Sequence, residues 1–270
     1  MAAWEPDMSE LTYKDEAAST YDRAFAHVST HFFPFLLKAA RLAPGQRVLD
    51  AATGTGIAAE AALAVVGPGG HVTAADISPA MVDRARRRLA GSPNTSVVVE
   101  DSQSLGFDDG SFDTVLCSLG LMFFQDPARG LSEFRRVLRP GGCAAVSVLT
   151  TPERSYNGRI NVIIARRMPS LAEATARTFS LGDEPRLRAL LERAGFRDVE
   201  TTTQAHCFVL PSFEAYFEPF EQGGGSSGQA YLALPEAERQ VAREEVRQSL
   251  RDTGGPIAIE VELRFASGHR

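Results

Sequence analysis

Three acids in this sequence are spaced so that they could share one ligand. Asp50, Asp76 and Asp101 follow the runs Arg47-Val48-Leu49, Val72-Thr73-Ala74-Ala75 and Val97-Val98-Val99-Glu100. Between the first two acids lies Gly54-Thr55-Gly56, and Asp76 comes twenty residues after Gly56. Glycines without a Cβ let the backbone turn sharply and come close to a ligand. An acid at the position of Asp76 suits hydrogen bonding to ribose hydroxyls. Asp50, just before the loop, resists a pyrophosphate and favours a ligand that carries an ammonium or sulfonium. Three further side chains are candidate bases or substrate anchors: His31, Tyr156 and His206.

The elements that must position these residues can be read around the loop. Arg47 to Ala51 is a short apolar strand, and the Ala-rich stretch from Ile57 to Val66 is helical. Strand, tight loop and helix in that order open a nucleotide-binding α/β sheet, with the unpaired N–H groups of the helix start facing the ligand. Ser78 caps a second helix that has Pro79 in its first turn. Thr114 to Cys117 is a fourth strand, and Cys143 to Leu149 a fifth after the turn Leu138-Arg139-Pro140-Gly141-Gly142. Acids at the carboxyl ends of parallel strands lie where open α/β sheets bind ligands.

The loop alone does not decide the ligand, because Gly54-x-Gly56-x-x-Ala59 also fits the dinucleotide fingerprint. Asp50 tips the balance, since dinucleotide-binding chains place small residues there. From residue 46 to about 150 the chain resembles the class I S-adenosylmethionine-dependent methyltransferases. The match is to the small-molecule branch typified by the ubiquinone and menaquinone biosynthesis C-methyltransferases. The resemblance implies an α/β, Rossmann-like fold: a seven-stranded, mostly parallel sheet with helices on both faces and a helical cap. It implies S-adenosyl-L-methionine as cofactor, with Asp76 on the ribose, Ile77 and Met81 against the adenine, and Asp101 and Ser102 at the adenine amino group. It also places Tyr21, Asp50, Ala52, Gly54, Gly56 and Ser118 beside the cofactor, and Phe123 and Phe124 beside the substrate.

Bulk properties bound the rest. With 270 residues, the chain divides into an N-terminal helical cap (1–45), the cofactor-binding core (46–150), a helical insert (151–195) and C-terminal strands with a helical insertion (196–270). A formal charge of −6 argues against a nucleic-acid partner. The basic run Arg84 to Arg88 is read as a solvated helix end. Cys117, Cys143 and Cys207 form no CxxC pair and are expected as buried, reduced thiols. No apolar run is long enough for a membrane span or a signal peptide, so a cytoplasmic setting is expected. A homodimer is compatible with all of this.

Elsewhere the pattern is less specific. Tyr21, Phe25, Val28, Phe32, Phe35 and Leu36 recur at helical steps, and Pro34 is expected to kink or split their helix. His27 and His31 share a helical face, but without a Glu between them no metal site is expected. Gly223 to Gly228 reads by composition as a flexible surface loop, or else as a lid hinge. The sixteen phenylalanines favour a hydrophobic small-molecule acceptor, although the same residues are ordinary core material. His31, as a substrate-facing base, and Tyr156 and His206, in the substrate pocket, complete the candidate site. Three other functions stay open on sequence alone. They are a cyclase or isomerase on the methyltransferase fold, a NAD-dependent oxidoreductase, and a non-catalytic binding subunit.

Overall fold

The computed structural model describes residues 15–270, and the side chains from Asp22 onward except those of Arg23 and Ala24. Tyr21 therefore lies outside the described side chains. Along the chain come α1 (Asp15–Ala39), β1 (Arg47–Ala51), α2 (Ile57–Val66), β2 (His71–Asp76), α3 (Pro79–Leu89), β3 (Thr95–Val99) and β4 (Phe112–Ser118). There follow α4 (Pro127–Val137), β5 (Leu138–Leu149), α5 (Gly158–Arg167), α6 (Ala172–Thr178), α7 (Glu184–Arg193) and β6 (Arg197–Leu210). Helices α8 (Phe213–Glu221), α9 (Gly225–Ala233) and α10 (Glu236–Ser249) precede β7 (Ile257–His269).

Among the described residues, seven strands form one sheet in the order β3-β2-β1-β4-β5-β7-β6. Strands β1 to β5 are parallel, and β7 runs antiparallel to both β5 and β6. The chain reverses direction across the sheet between β1 and β4. That switch point leaves a crevice beyond the strand ends, where such sheets hold ligands.

Two apolar layers fix the sheet between its helices. On one face Phe32, Leu36, Ala62, Ile160, Phe217, Phe220, Val246 and Phe265 belong to one buried cluster, drawn from α1, α2, α5, α8, α10 and β7. On the other, Leu131 and Phe134 of α4 join Leu187 and Leu191 of α7 over Leu49, Val115 and Val146. The strands β1, β2, β4 and β5 are buried on both faces, which explains their near-continuous apolar runs. Edge strand β6 alternates instead between half-buried and exposed residues.

Several sequence expectations need correction. Helix α1 is not split at Pro34, which lies inside it. Cys207 is exposed, because it lies on the outer face of β6, while Cys117 and Cys143 are buried as expected. The glycine run is not a surface loop. Gly223, Gly224, Gly225, Ser227 and Gly228 are buried where α9 starts against α8. A Cβ on Gly228 would lie 2.5 Å from the Gly223 carbonyl carbon, so the glycines serve close backbone packing. Asn157 Nδ2 donates to Ser227 Oγ at 2.9 Å, tying this corner to the start of α5.

Candidate active site

Asp50 ends its strand fully buried beneath the glycine loop. Thr53 Oγ1 donates to its Oδ2 at 2.5 Å, and the Ala59 N–H also points to the carboxyl. Among the described residues, its Oδ1 has no hydrogen-bond partner. Burial pushes the carboxyl from its ordinary 3.8 up to about 7; the nearby Asp76 charge adds to the rise, and the Thr53 and Ala59 bonds hold it back. A buried carboxylate oxygen without a partner is costly unless something cationic or hydrogen-bonding reaches it.

Asp76 closes β2 one strand away and acts as a tie. Its Oδ2 accepts from the Gly54 N–H and its Oδ1 from the Ser78 N–H, both at 2.9 Å. Burial raises its pKa, and those two N–H groups pull it back down. The loop's turn depends on Gly54 and Gly56, with φ of 58° and 85°. Space around Gly54 is open on the side where a Cβ would stand, as a ligand cradle requires. Ser78 caps α3 by accepting from the Met81 N–H, as its sequence position predicts. Ile77 is 65% exposed at the mouth of the crevice, whereas Met81 is buried. Asp101 lies just past β3, half-buried, and accepts from the Gln103 N–H at 2.9 Å; Ser102 beside it is buried.

The far wall comes from the end of β4. Ser118 Oγ is 3.5 Å from Ser147 Oγ, and the Leu119 N–H donates to the Ser147 carbonyl at 3.1 Å. Leu119 and Ala52 both take left-handed backbone conformations, with φ of 54° and 53°. For residues with a Cβ this costs free energy, so the surroundings must impose it. The two loops meet there: a Cβ on Gly120 would fall 2.6 Å from the Ala52 Cβ.

The substrate candidates divide. Phe123 is 46% exposed and available to a ligand, but Phe124 is buried against Phe134 and fills the space left by Gly130. Phe124 is therefore packing rather than pocket. Tyr156 is buried with its ring against Phe25, Phe208 and Tyr216, and burial pushes its phenol up to about 12. That position suits neither a base nor a substrate anchor. His31 and His206 come together, stacked with ring centroids 3.7 Å apart. They do so at edge strand β6, four strand spacings or about 19 Å across the sheet from β1. His31 is thus remote from the glycine loop.

Sequence reasoning missed a second tie. Arg88, in the run taken as a solvated helix end, donates through Nε to the Thr55 carbonyl at 2.9 Å. It also pairs with Asp22 of α1 at 2.5 Å and with Glu60 of α2 at 3.1 Å. Thr55 Oγ1 in turn donates to Asp22 at 2.5 Å. Arg86 and Arg87 in the same run are exposed, as expected. Nothing in the spacing distinguishes Arg88 from them; the loop, α2 and α1 meeting at its side chain do.

Comparison with known proteins decides the family. Residues 49–146 match the model of a methyltransferase domain. The demethylmenaquinone methyltransferase of Clavibacter sepedonicus is 36% identical over 203 residues, spanning 69% of this chain and 81% of that protein. The chain belongs to the class I S-adenosylmethionine-dependent methyltransferases. A ubiquinone/menaquinone biosynthesis C-methyltransferase of Geobacter sulfurreducens is 30% identical to this methyltransferase, over 60% of its chain and 69% of the relative. Two solved structures share the fold at lower identity. The S-adenosylmethionine-dependent methyltransferase of Aquifex aeolicus has a TM-score of 0.54 at 22% identity, covering 69% of this chain and 90% of that one. Phosphoethanolamine N-methyltransferase 2 of Haemonchus contortus, in complex with S-adenosyl-L-methionine, has a TM-score of 0.59 at 17% identity. It covers 100% of this chain and 60% of that one.

The methyltransferase's residues fit that cofactor. The unpartnered Asp50 oxygen, the open side of Gly54 and the exposed Ile77 beside Asp76 supply a site for a cation, room for a backbone-close ligand and an apolar face for a ring. Among the described residues, no helix is long and apolar enough to cross a membrane.

Proposed function

We propose that this methyltransferase transfers a methyl group from S-adenosyl-L-methionine to a carbon or oxygen of a hydrophobic small molecule held beyond the end of β4. Quinone-like, polyketide-like or other natural-product acceptors suit it. The observation that carries the cofactor site is Asp50, buried beneath the glycine loop with one oxygen lacking a partner among the described residues. Its acceptor side is supported by the quinone-biosynthesis relatives and by Phe123, exposed just past β4. The net charge of −6 argues against a nucleic-acid acceptor.

When bound, the cofactor supplies a methyl already activated by the positive sulfonium. The chain's work is to bind, orient and exclude water. Asp50 and Asp76 fix the loop and offer carboxylate oxygens to the cation and the ribose, while Ile77 covers the base. Ser118 and Leu119 form the wall facing the acceptor, and α1 lies across the loop above them. Positioning of this kind contributes roughly 7–11 kcal/mol to such a reaction. The stacked His31 and His206 sit at β6, away from the glycine loop, so an acceptor that is already nucleophilic, such as a phenolate or enolate, suits the site better than one needing deprotonation there.

Calorimetry with S-adenosylmethionine and its demethylated product, followed by mass spectrometry of candidate acceptors, tests this reading. Binding of both forms and a product heavier by one methylene are expected. Asp76→Ala should weaken cofactor binding by roughly 10–100-fold, the effect of losing hydrogen bonds to a charged group, with the fold retained. Unchanged affinity would remove Asp76 from the site.

A further inference from the structure

We propose that Arg88 and Asp22 are positioning residues which couple the seating of helix α1 to cofactor binding. The inference rests on the reading that the cofactor lies on the glycine loop. Thr55 is the loop residue between the two glycines, and it is 2% exposed. Its two polar handles are both gripped from outside the loop. The hydroxyl donates to Asp22 Oδ1 at 2.5 Å, and the carbonyl accepts from Arg88 Nε at 2.9 Å. The grips are joined, because Arg88 Nη2 donates to Asp22 Oδ2 at 2.5 Å.

Each member belongs to a different element: Asp22 to α1, Thr55 to the loop and Arg88 to the last turn of α3. Gly54 and Gly56 can adopt many backbone conformations, so the loop needs an external constraint to hold the one that suits a ligand. Asp76 constrains it from below through the Gly54 N–H, and the Arg88–Asp22 pair constrains it from above through Thr55. Asp22 can reach Thr55 only when α1 is docked. Loop shape and α1 docking are therefore parts of one equilibrium, and whatever stabilises one stabilises the other to the same extent. A cofactor that binds the shaped loop seats α1 over itself. The pair is about 25–31% exposed at its side chains, so it can break without unfolding the core.

Arg88 has a third partner, the Glu60 carboxylate on α2; Glu60 meets the loop through its backbone N–H, which donates to the Gly56 carbonyl at 3.0 Å and which a side-chain substitution leaves in place. This allows a discriminating experiment with the full chain and S-adenosylhomocysteine as the probe. Asp22→Ala and Arg88→Ala should each raise the calorimetric dissociation constant about tenfold, within the range of site-to-site couplings. The double variant should be no weaker than Arg88→Ala alone, since the two residues act through one contact set. Glu60→Gln should bind as the unmodified chain does. In the unmodified chain the probe should slow hydrogen exchange of the α1 amides around Asp22, and in Asp22→Ala it should not.

Wild-type affinity in both single variants, alongside weakened binding by Asp76→Ala, would overturn the coupling and leave the cofactor site intact. Equal losses in Glu60→Gln and Arg88→Ala would reduce Arg88 to a tie between α2 and α3. Unslowed α1 exchange in the unmodified chain overturns the coupling without recourse to any variant. If Asp76→Ala were harmless as well, the cofactor reading beneath the inference would fall with it.

Discussion

Asp50 should make cofactor binding depend on pH. With its carboxyl pushed up to about 7 by burial, the free chain holds it half protonated at neutral pH. A cationic ligand beside the unpartnered oxygen favours the carboxylate, so binding should expel a proton. Affinity then follows the fraction already ionised. It should strengthen about fivefold from pH 6 to 7 and about tenfold per unit below pH 6, because one proton must leave for each ligand bound. Calorimetry in buffers of different ionisation enthalpy counts that proton directly. Adenosine, which carries no cation, should show no such slope. Asp50→Asn keeps the shape but cannot ionise, so its affinity should be weak and flat with pH.

The same group sets a stability slope in the free chain. A folded value above the unfolded 3.8 means that the folded chain binds more protons between pH 4 and 7. Stability therefore falls as pH rises through that window, by on the order of 4 kcal/mol. Asp50→Asn should flatten that fall and melt higher than the unmodified chain at pH 8 without cofactor. Wild-type affinity independent of pH, or an identical slope in the Asn variant, would refute this account of Asp50.

Gly120→Ala should cost about 1–3 kcal/mol by forcing a Cβ into Ala52 and Cys117. Gly91→Ala, where the space is open, should leave the melting temperature unchanged. His31 titrates low because of burial and, secondarily, the His206 charge. His206→Phe should therefore raise the His31 pKa in an NMR titration. In the unmodified chain this lowered value should make stability fall as pH drops through the histidine range, since the unfolded imidazole takes the proton more readily. Tyr216→Phe removes the 2.7 Å bond donated to the Tyr156 carbonyl in a fully buried setting. Urea melts should show a loss of about 1–3 kcal/mol.

The sequence made the central βαβ unit legible because its signals are local. An acid ending each apolar run, the two glycines and the Ser78-Pro79 cap are all decided within a few residues of themselves. Features set by tertiary neighbours were not legible. Arg88 differs from Arg86 and Arg87 because the loop, α2 and α1 converge on it. Cys207 looks like Cys117 in its apolar run, yet β6 is an edge and β4 is central. The composition of Gly223 to Gly228 matches a linker, and only the nearness of α8 turns it into a packed helix start. His31 and His206 were each noticed alone; their stacking depends on a register between α1 and β6 that no spacing encodes.

Helix α1 rests partly on strands that are made much later than it is. Phe32 and Phe35 pack on Phe265 of β7, and Arg41, just past the helix, pairs with Glu200 of β6. During synthesis this helix emerges from the ribosome long before that part of its bed exists. Its apolar side must wait, exposed or chaperoned, until β7 inserts between β5 and β6. A nascent chain stalled before Phe265 should therefore hold the C-terminal half of α1 less firmly than the longer chain does.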